Sequence, residues 1–384
     1  MQPGNQLIQL IENLAAQPAR KPRVSLYQST SPQPERMKEN EIRLKAHVKS
    51  LSEKLRDMSV PPASADALGD RILDASSSWR DGTRLREGLA LFAADDMLRQ
   101  LPLPQCVGDR AYCSERFHLK PLFAALQQNR PFYLLALSQN QAALFEGDAV
   151  ALRRLQPDGS WPQSLESVAG HEPSGKTLHY HAGSRGGDSA IYHGHGAGKD
   201  DTGPEIRQFL EAVDSALREL PLARGAPLIL AGVGSLLAAF RRVSDNDRLA
   251  AEQLEGNVEH LSENALHEQA LPLVRKQLEA VRAEALAKVK QAGPGAPVAR
   301  QLGDILRAAI AGRVESVFVA GDAECWGRMD DDGQQFTQHE AWRPGDYDLV
   351  DRAAVESHRR RGGLYVVPAA ELPGQGLALA SLRY

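Results

Sequence analysis

"PFYLLALSQNQAALFEG", residues 131–147, contains two apolar runs on either side of the polar residues Ser138-Gln139-Asn140. Short apolar runs that flank a polar segment predict a β-hairpin with buried strands. Further along, an amphipathic segment and the apolar run "APLILAGVG" follow a glycine-rich stretch. The order strand, strand, loop, helix, strand predicts an α/β unit over residues 127–236.

The helix of this unit is predicted by residues with helical spacing. Its apolar positions are Ile206, Phe209, Leu210, Val213 and Leu217. Pro204 stands near the expected helix start, where proline is tolerated. The short motif "AGVGS" after the last strand contains only one Gly-x-Gly step, which we interpret as tight strand–helix packing rather than a nucleotide site.

The chain before the hairpin predicts a small α/β domain over residues 1–126. A strand is expected at 23–27, and two strands in 88–104 flank a turn at Asp95-Asp96. Between them, apolar residues at 4-3-4 spacing predict a helix that ends before Pro61-Pro62. These residues are Leu44, Val48, Leu51 and Leu55.

The chain after residue 236 predicts a layered α/β domain over residues 237–384, because helices and strands alternate there. A long helix is expected from an apolar stripe that ends before the break "AGPGAP" at 292–297. Its members are Val274, Leu278, Val281, Ala285 and Val289. Strands are expected at "VESVFVAGD" and "LYVVP".

The composition predicts a soluble, cytoplasmic protein of several domains. The 384 residues are 42% hydrophobic and 24% charged, and no apolar run approaches the ~20 residues that span a bilayer. The N-terminus lacks the pattern of a secretory signal. The three cysteines form no Cys-x-x-Cys pair, as expected in a reducing compartment. A net charge of −4 argues against a protein that coats nucleic acid, but it allows a local contact.

The glycine-rich stretch, residues 181–203, holds the candidate chemistry. Gly186-Gly187 allows a backbone to approach a ligand closely, and its N–H groups can donate to developing negative charge. The side chain of Asp188, the next residue, would then be presented at the tip of the loop. Glycine content alone favours a flexible surface loop without chemistry. Nearby, His179/His181 and His193/His195 have i, i+2 spacing, but the glycines around them make a poor metal scaffold, so no metal site is predicted.

A basic run at "HRRRGG", residues 358–363, is a second candidate site. Cations at the end of a helix complement its dipole, so a solvated helix end is one interpretation. The other is a contact between RNA phosphates and Arg359, Arg360 and Arg361.

The sequence resembles the archaeal and eukaryotic peptide-chain release factors, which carry Gly-Arg-Gly-Gly-Gln-Ser-Ala on a mobile loop. Here Ser184-Arg185-Gly186-Gly187-Asp188-Ser189-Ala190 matches five of those seven positions. Further segments in the same order resemble the bacterial branch of the superfamily, the baeRF proteins. They are "RFHLKPLF", "LALSQNQAALFEG", "AGDAECWGR" and "RPGDYDLVDRAAVESHRRRGGLYVVP".

The resemblance implies a multidomain α/β protein of three domains. The middle domain would have a ribonuclease-H-like fold and carry the loop, and the C-terminal domain would resemble the α/β domain of Pelota. It also implies a ribosome-associated rescue or release factor whose loop promotes hydrolysis of the peptidyl-tRNA ester. Gly186, Gly187 and Asp188 would then be catalytic, and Arg185 would contact RNA. A translational GTPase is an expected partner, and no cofactor is expected.

Two departures from the family pattern leave an alternative open. Asp188 stands where the factors have glutamine, and an ionised carboxylate accepts hydrogen bonds but donates none. The Asn-Ile-Lys-Ser motif that reads stop codons is absent. The chain is therefore either a hydrolase with an altered loop or a Pelota-like module that binds ribosomes or RNA without catalysis.

Overall fold

The computed structural model describes residues 3–18, 22–31, 33–75, 86–138, 140–157, 161–169, 203–223, 225–293, 295–330 and 332–384. The chain forms two compact units. Unit 1 consists of Met1–Arg130 and Glu279–Tyr384, and unit 2 is Pro131–Leu278. The division into three domains remains a prediction.

Helices and strands alternate along much of the described chain. The helices are α1 (Pro3–Ala15), α2 (Met37–Asp57), α3 (Pro62–Ala75), α4 (Lys120–Gln128), α5 (Leu165–Ala169), α6 (Gly203–Glu219), α7 (Gly234–Val243), α8 (Glu263–Lys290), α9 (Leu302–Ile310) and α10 (Leu349–Arg359). The strands before residue 150 are β1 (Arg23–Ser29), β2 (Gly88–Ala94), β3 (Met97–Leu103), β4 (Arg110–Ser114), β5 (Phe132–Leu137) and β6 (Ala142–Gly147). The later strands are β7 (Leu152–Arg154), β8 (Leu228–Gly232), β9 (Leu249–Glu255), β10 (Val298–Ala299), β11 (Val314–Ala320), β12 (Trp326–Met329), β13 (Phe336–His339), β14 (Tyr347–Asp348), β15 (Gly363–Val367) and β16 (Ala378–Leu382). No described helix is both long and apolar enough to cross a bilayer.

The first sheet of unit 1 is buried on both faces. Its strands lie in the order β3-β2-β1-β4, and β1 pairs with β2 and β4 in antiparallel register. Side chains alternate between the faces of a strand, so Leu91 packs with α2 and α3 on one face and Phe92 packs on the other. A strand buried on both faces must be apolar throughout, as β2 is.

The last hundred residues contribute a second four-stranded sheet, ordered β10-β16-β11-β15, with β11 and β15 parallel. Helices α9 and α10 cover the face that carries Val317 and Val319. The same apolar cluster contains Leu7 and Phe92, so the first and last parts of the chain share one core. A small antiparallel sheet, β13-β12-β14, is also present.

The predicted apolar stripe of α8 is wrong at one position. The side chain of Val281 is 43% exposed, whereas Val274 and Val289 are buried in separate apolar clusters. Val281 belongs to neither cluster. A helix whose two halves pack into different cores does not need a continuous apolar stripe.

Unit 2 has one sheet in the order β7-β6-β5-β8-β9. Strands β5, β6 and β7 are antiparallel, while β8 is parallel to both β5 and β9. By position in the unit this is 3-2-1-4-5, which is the ribonuclease-H-like topology. Helices α5, α6 and α7 cover one face, and the first half of α8 covers the other. The predicted hairpin, helix and buried strand are thus confirmed.

Candidate functional site

The predicted catalytic residues fall in the connection between α5 and α6. Arg185, Gly186, Gly187 and Asp188 lie outside the described residues, as do His179, His181, His193 and His195. The helices on either side are described. Val168 of α5 and Ile206 of α6 pack against the same apolar cluster, so both helices lie on one face of the sheet.

Next to the start of α6, unit 2 contains a cavity of about 690 Å³. Strands β5, β8 and β9 are parallel, so their carboxyl ends meet at one edge of the sheet, where ligands commonly bind in α/β folds. Side chains of α6 and α7 complete the wall. The lining residues include Ser138, Asn140, Gly203, Ile206, Leu210, Val233, Leu236, Arg242 and Glu259.

The polar rim of this cavity contains one organised carboxylate. Asn140 Nδ2 donates to Glu259 Oε1 at 3.2 Å. Hydrogen bonds from Ser138 and then Asn140 lower the pKa of Glu259, which keeps it ionised. On the opposite side, Arg207 is paired with Glu211 at 2.8 Å. A single ionised carboxylate with polar neighbours can bind a ligand.

The glycines of "AGVGS" serve packing, as expected. At Gly232 a Cβ atom would overlap the carbonyl oxygen of Leu137 on β5 and would lie 3.2 Å from Leu237 of α7. Glycine is therefore needed where strand and helix approach closely. No group of three or more His, Cys, Asp or Glu that could hold a metal occurs among the residues with assigned structure.

The basic run lies at the carboxyl end of α10. Arg359 belongs to the last turn, Arg360 is the C-cap, and Arg361 follows. All three are exposed, and Arg359 Nη1 lies 3.2 Å from the buried carboxylate of Glu356. The structure thus brings Arg359, Arg360 and Arg361 together at one helix end.

Unit 1 contains a buried ionic network that sequence analysis missed. Lys120 is 2% exposed, and its Nζ donates to Asp348 Oδ2 at 2.9 Å and to the Ala323 carbonyl at 2.5 Å. Asp348 also caps α10, since its Oδ1 accepts from the N–H of Val350. Burial raises the pKa of Asp348, whereas Lys120 and the hydrogen bonds lower it.

Asp351 and His118 complete the network. Asp351 Oδ1 accepts from the backbone N–H groups of Leu119 at 2.7 Å and Lys120 at 2.5 Å. Burial, and then the Asp348 carboxylate, raise the pKa of Asp351 to about 7. His118 stacks on Tyr112 with ring centroids 3.7 Å apart, and burial followed by Lys120 lowers its pKa.

One sequence signal for this network was available. Lys120 stands inside the apolar segment "RFHLKPLF", and charged residues recur within α10 at Asp351, Arg352 and Glu356. Charged residues are rarely fully buried unless they are paired, so charges among apolar neighbours indicate partners elsewhere in the chain. The sequence does not reveal which partners those are.

Comparison with known proteins finds a family model that matches part of the chain. Residues 131–313 match the model of "Bacterial archaeo-eukaryotic release factor family 3". Residues 131–313 are thus similar to the baeRF proteins. The matched segment includes all of unit 2, with α5, α6 and the glycine-rich connection between them. The predicted relationship is thereby confirmed.

Several solved structures are similar to this chain. Archaeal translation termination factor aRF1 has 15% identity and a TM-score of 0.24, with 99% of this chain and 98% of that chain covered. Archaeoglobus fulgidus Pelota has 15% identity and a TM-score of 0.33, with 77% and 79% covered. S. cerevisiae Dom34 has 10% identity and a TM-score of 0.37, also with 77% and 79% covered. No curated protein matches the sequence.

Proposed function

We propose that this protein is a ribosome-associated release-factor-like or rescue protein that promotes hydrolysis of the peptidyl-tRNA ester. The observation that carries the proposal is the family match over residues 131–313, which spans the loop Gly186-Gly187-Asp188 and both flanking helices. An archaeal Pelota has been described bound to the ribosome, and Dom34 as interacting with Hbs1. A translational GTPase is accordingly the partner we propose for delivery, in the cytoplasm.

The proposed chemistry is the attack of water on an ester. The water oxygen bonds to the carbonyl carbon of the peptidyl group, the bond from that carbon to the tRNA ribose oxygen breaks, and a proton passes to that oxygen. The backbone of Gly186-Gly187 would come close to the reacting carbonyl and donate an N–H to the developing negative charge. Asp188 would accept a hydrogen bond from the attacking water and orient it. No resident metal or cofactor enters this scheme.

Cations would hold the protein against ribosomal RNA while the loop acts. Arg185 precedes the loop, and Arg359, Arg360 and Arg361 lie together at the end of α10. Phosphate contacts of this kind position a protein on RNA without reading its sequence. They are compatible with a net charge of −4 because they are local.

Release of labelled peptide from stalled ribosome complexes tests this proposal. We expect the wild-type protein to release peptide. Gly187→Ala keeps the backbone N–H, but its Cβ restricts φ and hinders close approach to the ester, so we expect release to slow roughly 100-fold, as when a transition-state donor is misplaced. Gly293→Ala is a matched control, because a Cβ at Gly293 meets nothing within 4 Å. Equal rates for all three proteins would contradict catalysis by the loop.

A second function, a non-catalytic Pelota-like binding module, is favoured by one observation. Asp188 replaces the glutamine of the factors that this chain resembles, and its charge is repelled by RNA phosphates. Co-sedimentation with ribosomes separates the two functions. Binding without any peptide release would favour the module, and binding with release that depends on Gly187 would favour the hydrolase.

A further inference from the structure

Arg361 occupies a backbone position that normally belongs to glycine. Its φ is 59°, in the left-handed region, directly after the C-cap of α10. Its N–H donates to the His358 carbonyl at 2.9 Å, and the N–H of Gly362 donates to the Ser357 carbonyl at 2.8 Å. These two bonds define a Schellman motif, in which the residue at the Arg361 position is most often glycine. An arginine there carries a conformational cost that the helix end does not require.

Other arginines converge on this turn. The Arg383 guanidinium donates to the carbonyls of Gly312, Arg360 and Arg361 at 3.1, 3.2 and 3.3 Å. The backbone N–H of Arg383 donates to the Arg313 carbonyl at 2.8 Å. The stem of Arg360 lies over Gly312, where a Cβ would be 3.8 Å from Arg360 Cδ. Arg383 therefore fixes the strained turn and places its own charge beside Arg360 and Arg361.

The charge of this group is not neutralised by the rest of the described chain. We call Arg313, Arg360, Arg361 and Arg383 the arginine patch. None of its members has an ion pair with a described carboxylate, whereas neighbouring Arg359 is paired with Glu356. Arg360, Arg361 and Arg383 are exposed. On a protein of net charge −4, this group creates a local positive potential that attracts a polyanionic partner.

We propose that the arginine patch binds the phosphate backbone of RNA. The proposal deepens the proposed function, because it adds Arg313 and Arg383 to the RNA contact and assigns the left-handed turn at Arg361 to it. It rests on that function for the identity of the RNA. Guanidinium groups recognise phosphates with two parallel hydrogen bonds, and a rigid turn pre-orients them. A protein partner is less favoured, because protein interfaces centre on clusters of aromatic or apolar anchors. The arginines here adjoin one large exposed aromatic side chain, Tyr384, and such a ring also stacks on RNA bases.

Because Arg361 has a left-handed φ, its replacement by glycine can reduce RNA binding without destabilising the fold. Arg361→Gly removes the charge and relieves the backbone, so the melting temperature should stay equal or rise. Gln375→Gly is the matched control, since exposed Gln375 also has a positive φ, 53°, and carries no charge. Arg361→Lys keeps the charge and should retain most of the binding.

The experiment measures binding of the full chain to a fluorescein-labelled RNA hairpin across a salt series. For Arg361→Gly we expect about fivefold weaker binding near 0.1 M salt, and a slope of log K against log salt that is shallower by about 0.8. The control Gln375→Gly should bind as the wild type does. Equal binding by Arg361→Gly and wild type would overturn the proposal.

Two further measurements identify the partner and distinguish this proposal from the proposal of hydrolysis. If poly-glutamate competes as effectively as unlabelled RNA of equal charge, the patch binds acidic protein and the RNA proposal is overturned. Gly187→Ala should bind the hairpin normally. If Arg361→Gly weakens RNA binding while Gly187→Ala leaves peptide release unchanged, the patch is supported and only the hydrolytic function fails.

Discussion

Lys120 Nζ lies 2.9 Å from Asp348 Oδ2, and the two residues are 228 positions apart in the chain. Their side chains are 2% and 0% exposed. The pair joins the start of α4 to the start of α10, so it fastens the first and last parts of unit 1 together. Removal of one partner from a buried ion pair leaves an uncompensated charge, which is far costlier than loss of a surface pair.

The first prediction concerns Lys120→Met, which leaves Asp348 buried without its cation. We expect a loss of about 3–5 kcal/mol in the free energy of unfolding, measured by urea denaturation. Lys288→Met is the control, because Lys288 is 74% exposed in its pair with Glu284. That change should cost less than about 1 kcal/mol. Equal losses in the two variants would contradict the structural role of the buried pair.

The second prediction concerns pH and Asp351→Asn. Burial, followed by the nearby Asp348 carboxylate, raises the pKa of Asp351 from 3.8 to about 7. Between these values the folded protein keeps a proton that the unfolded chain releases. The contribution of Asp351 to the free energy of unfolding is therefore fully present below about pH 4 and is lost as the pH rises to about 7. At ~1.4 kcal/mol per unit of pKa, the loss is at most about 4 kcal/mol.

Asparagine imitates the protonated acid, because its Oδ1 can still accept from Leu119 and Lys120. Asp351→Asn should therefore gain stability relative to wild type as the pH rises from about 4 to 7, and the difference should then level off. Denaturation at several pH values gives the comparison. The other titratable groups nearby, Tyr27, Tyr112, His118, Lys120 and Asp348, are common to both proteins. Parallel stability profiles would contradict the raised pKa.

The third prediction compares two glycines of unit 1. At Gly327 on β12 a Cβ would overlap the Thr337 carbonyl and lie 2.8 Å from Leu349 Cδ1. Gly327→Ala should cost about 1–3 kcal/mol, the range for overpacking. At Gly303 in α9 the nearest atom would be 3.6 Å away, an ordinary contact. Gly303→Ala should gain up to about 1 kcal/mol, since glycine is a poor helix former. If the melting temperatures of both variants changed in the same direction, this prediction would be wrong.

The fourth prediction concerns Asp188→Gln in the peptide-release assay. Glutamine can both donate and accept a hydrogen bond, whereas an ionised carboxylate only accepts. We expect release to be about tenfold faster or more, if the added donor stabilises the transition state as other preorganised donors do. Asp188→Asn, with a shorter side chain, is the control for reach. A slower rate with glutamine would show that the carboxylate itself takes the proton from water.

Much of unit 2 was predictable because its signals are local. Two apolar runs around Ser138-Gln139-Asn140 predicted β5 and β6, and helical spacing from Ile206 to Leu217 predicted α6. Both patterns report burial of one face within a few residues. The strand order of the sheet was expected only through the family resemblance, because the pairing of β8 with β5 joins distant parts of the chain.

The buried network could not be predicted for the same reason. The apolar neighbours of Lys120 indicate that it has a partner, but only the tertiary fold shows that this partner is Asp348. Local periodicity also failed at Val281, since it cannot reveal that α8 packs Val274 and Val289 into different cores. The candidate loop was recognised from five matches in seven positions, from the hairpin and helix on either side of it, and from other segments in the same order. Its role stays a proposal.

The order of the two units along the chain affects how the protein is made. Unit 2 is continuous from Pro131 to Leu278, whereas unit 1 needs residues from both sides of it. Synthesis proceeds at roughly 5–20 residues per second, so Lys120 precedes Asp348 by roughly 10–45 seconds. During that interval the apolar cluster that contains Phe92 already has the residues of α1 and α4 but lacks those of α9 and α10. Unit 2 can complete its fold while the ribosome is still translating the chain. The core of unit 1 stays incomplete until the last part of the chain has been made.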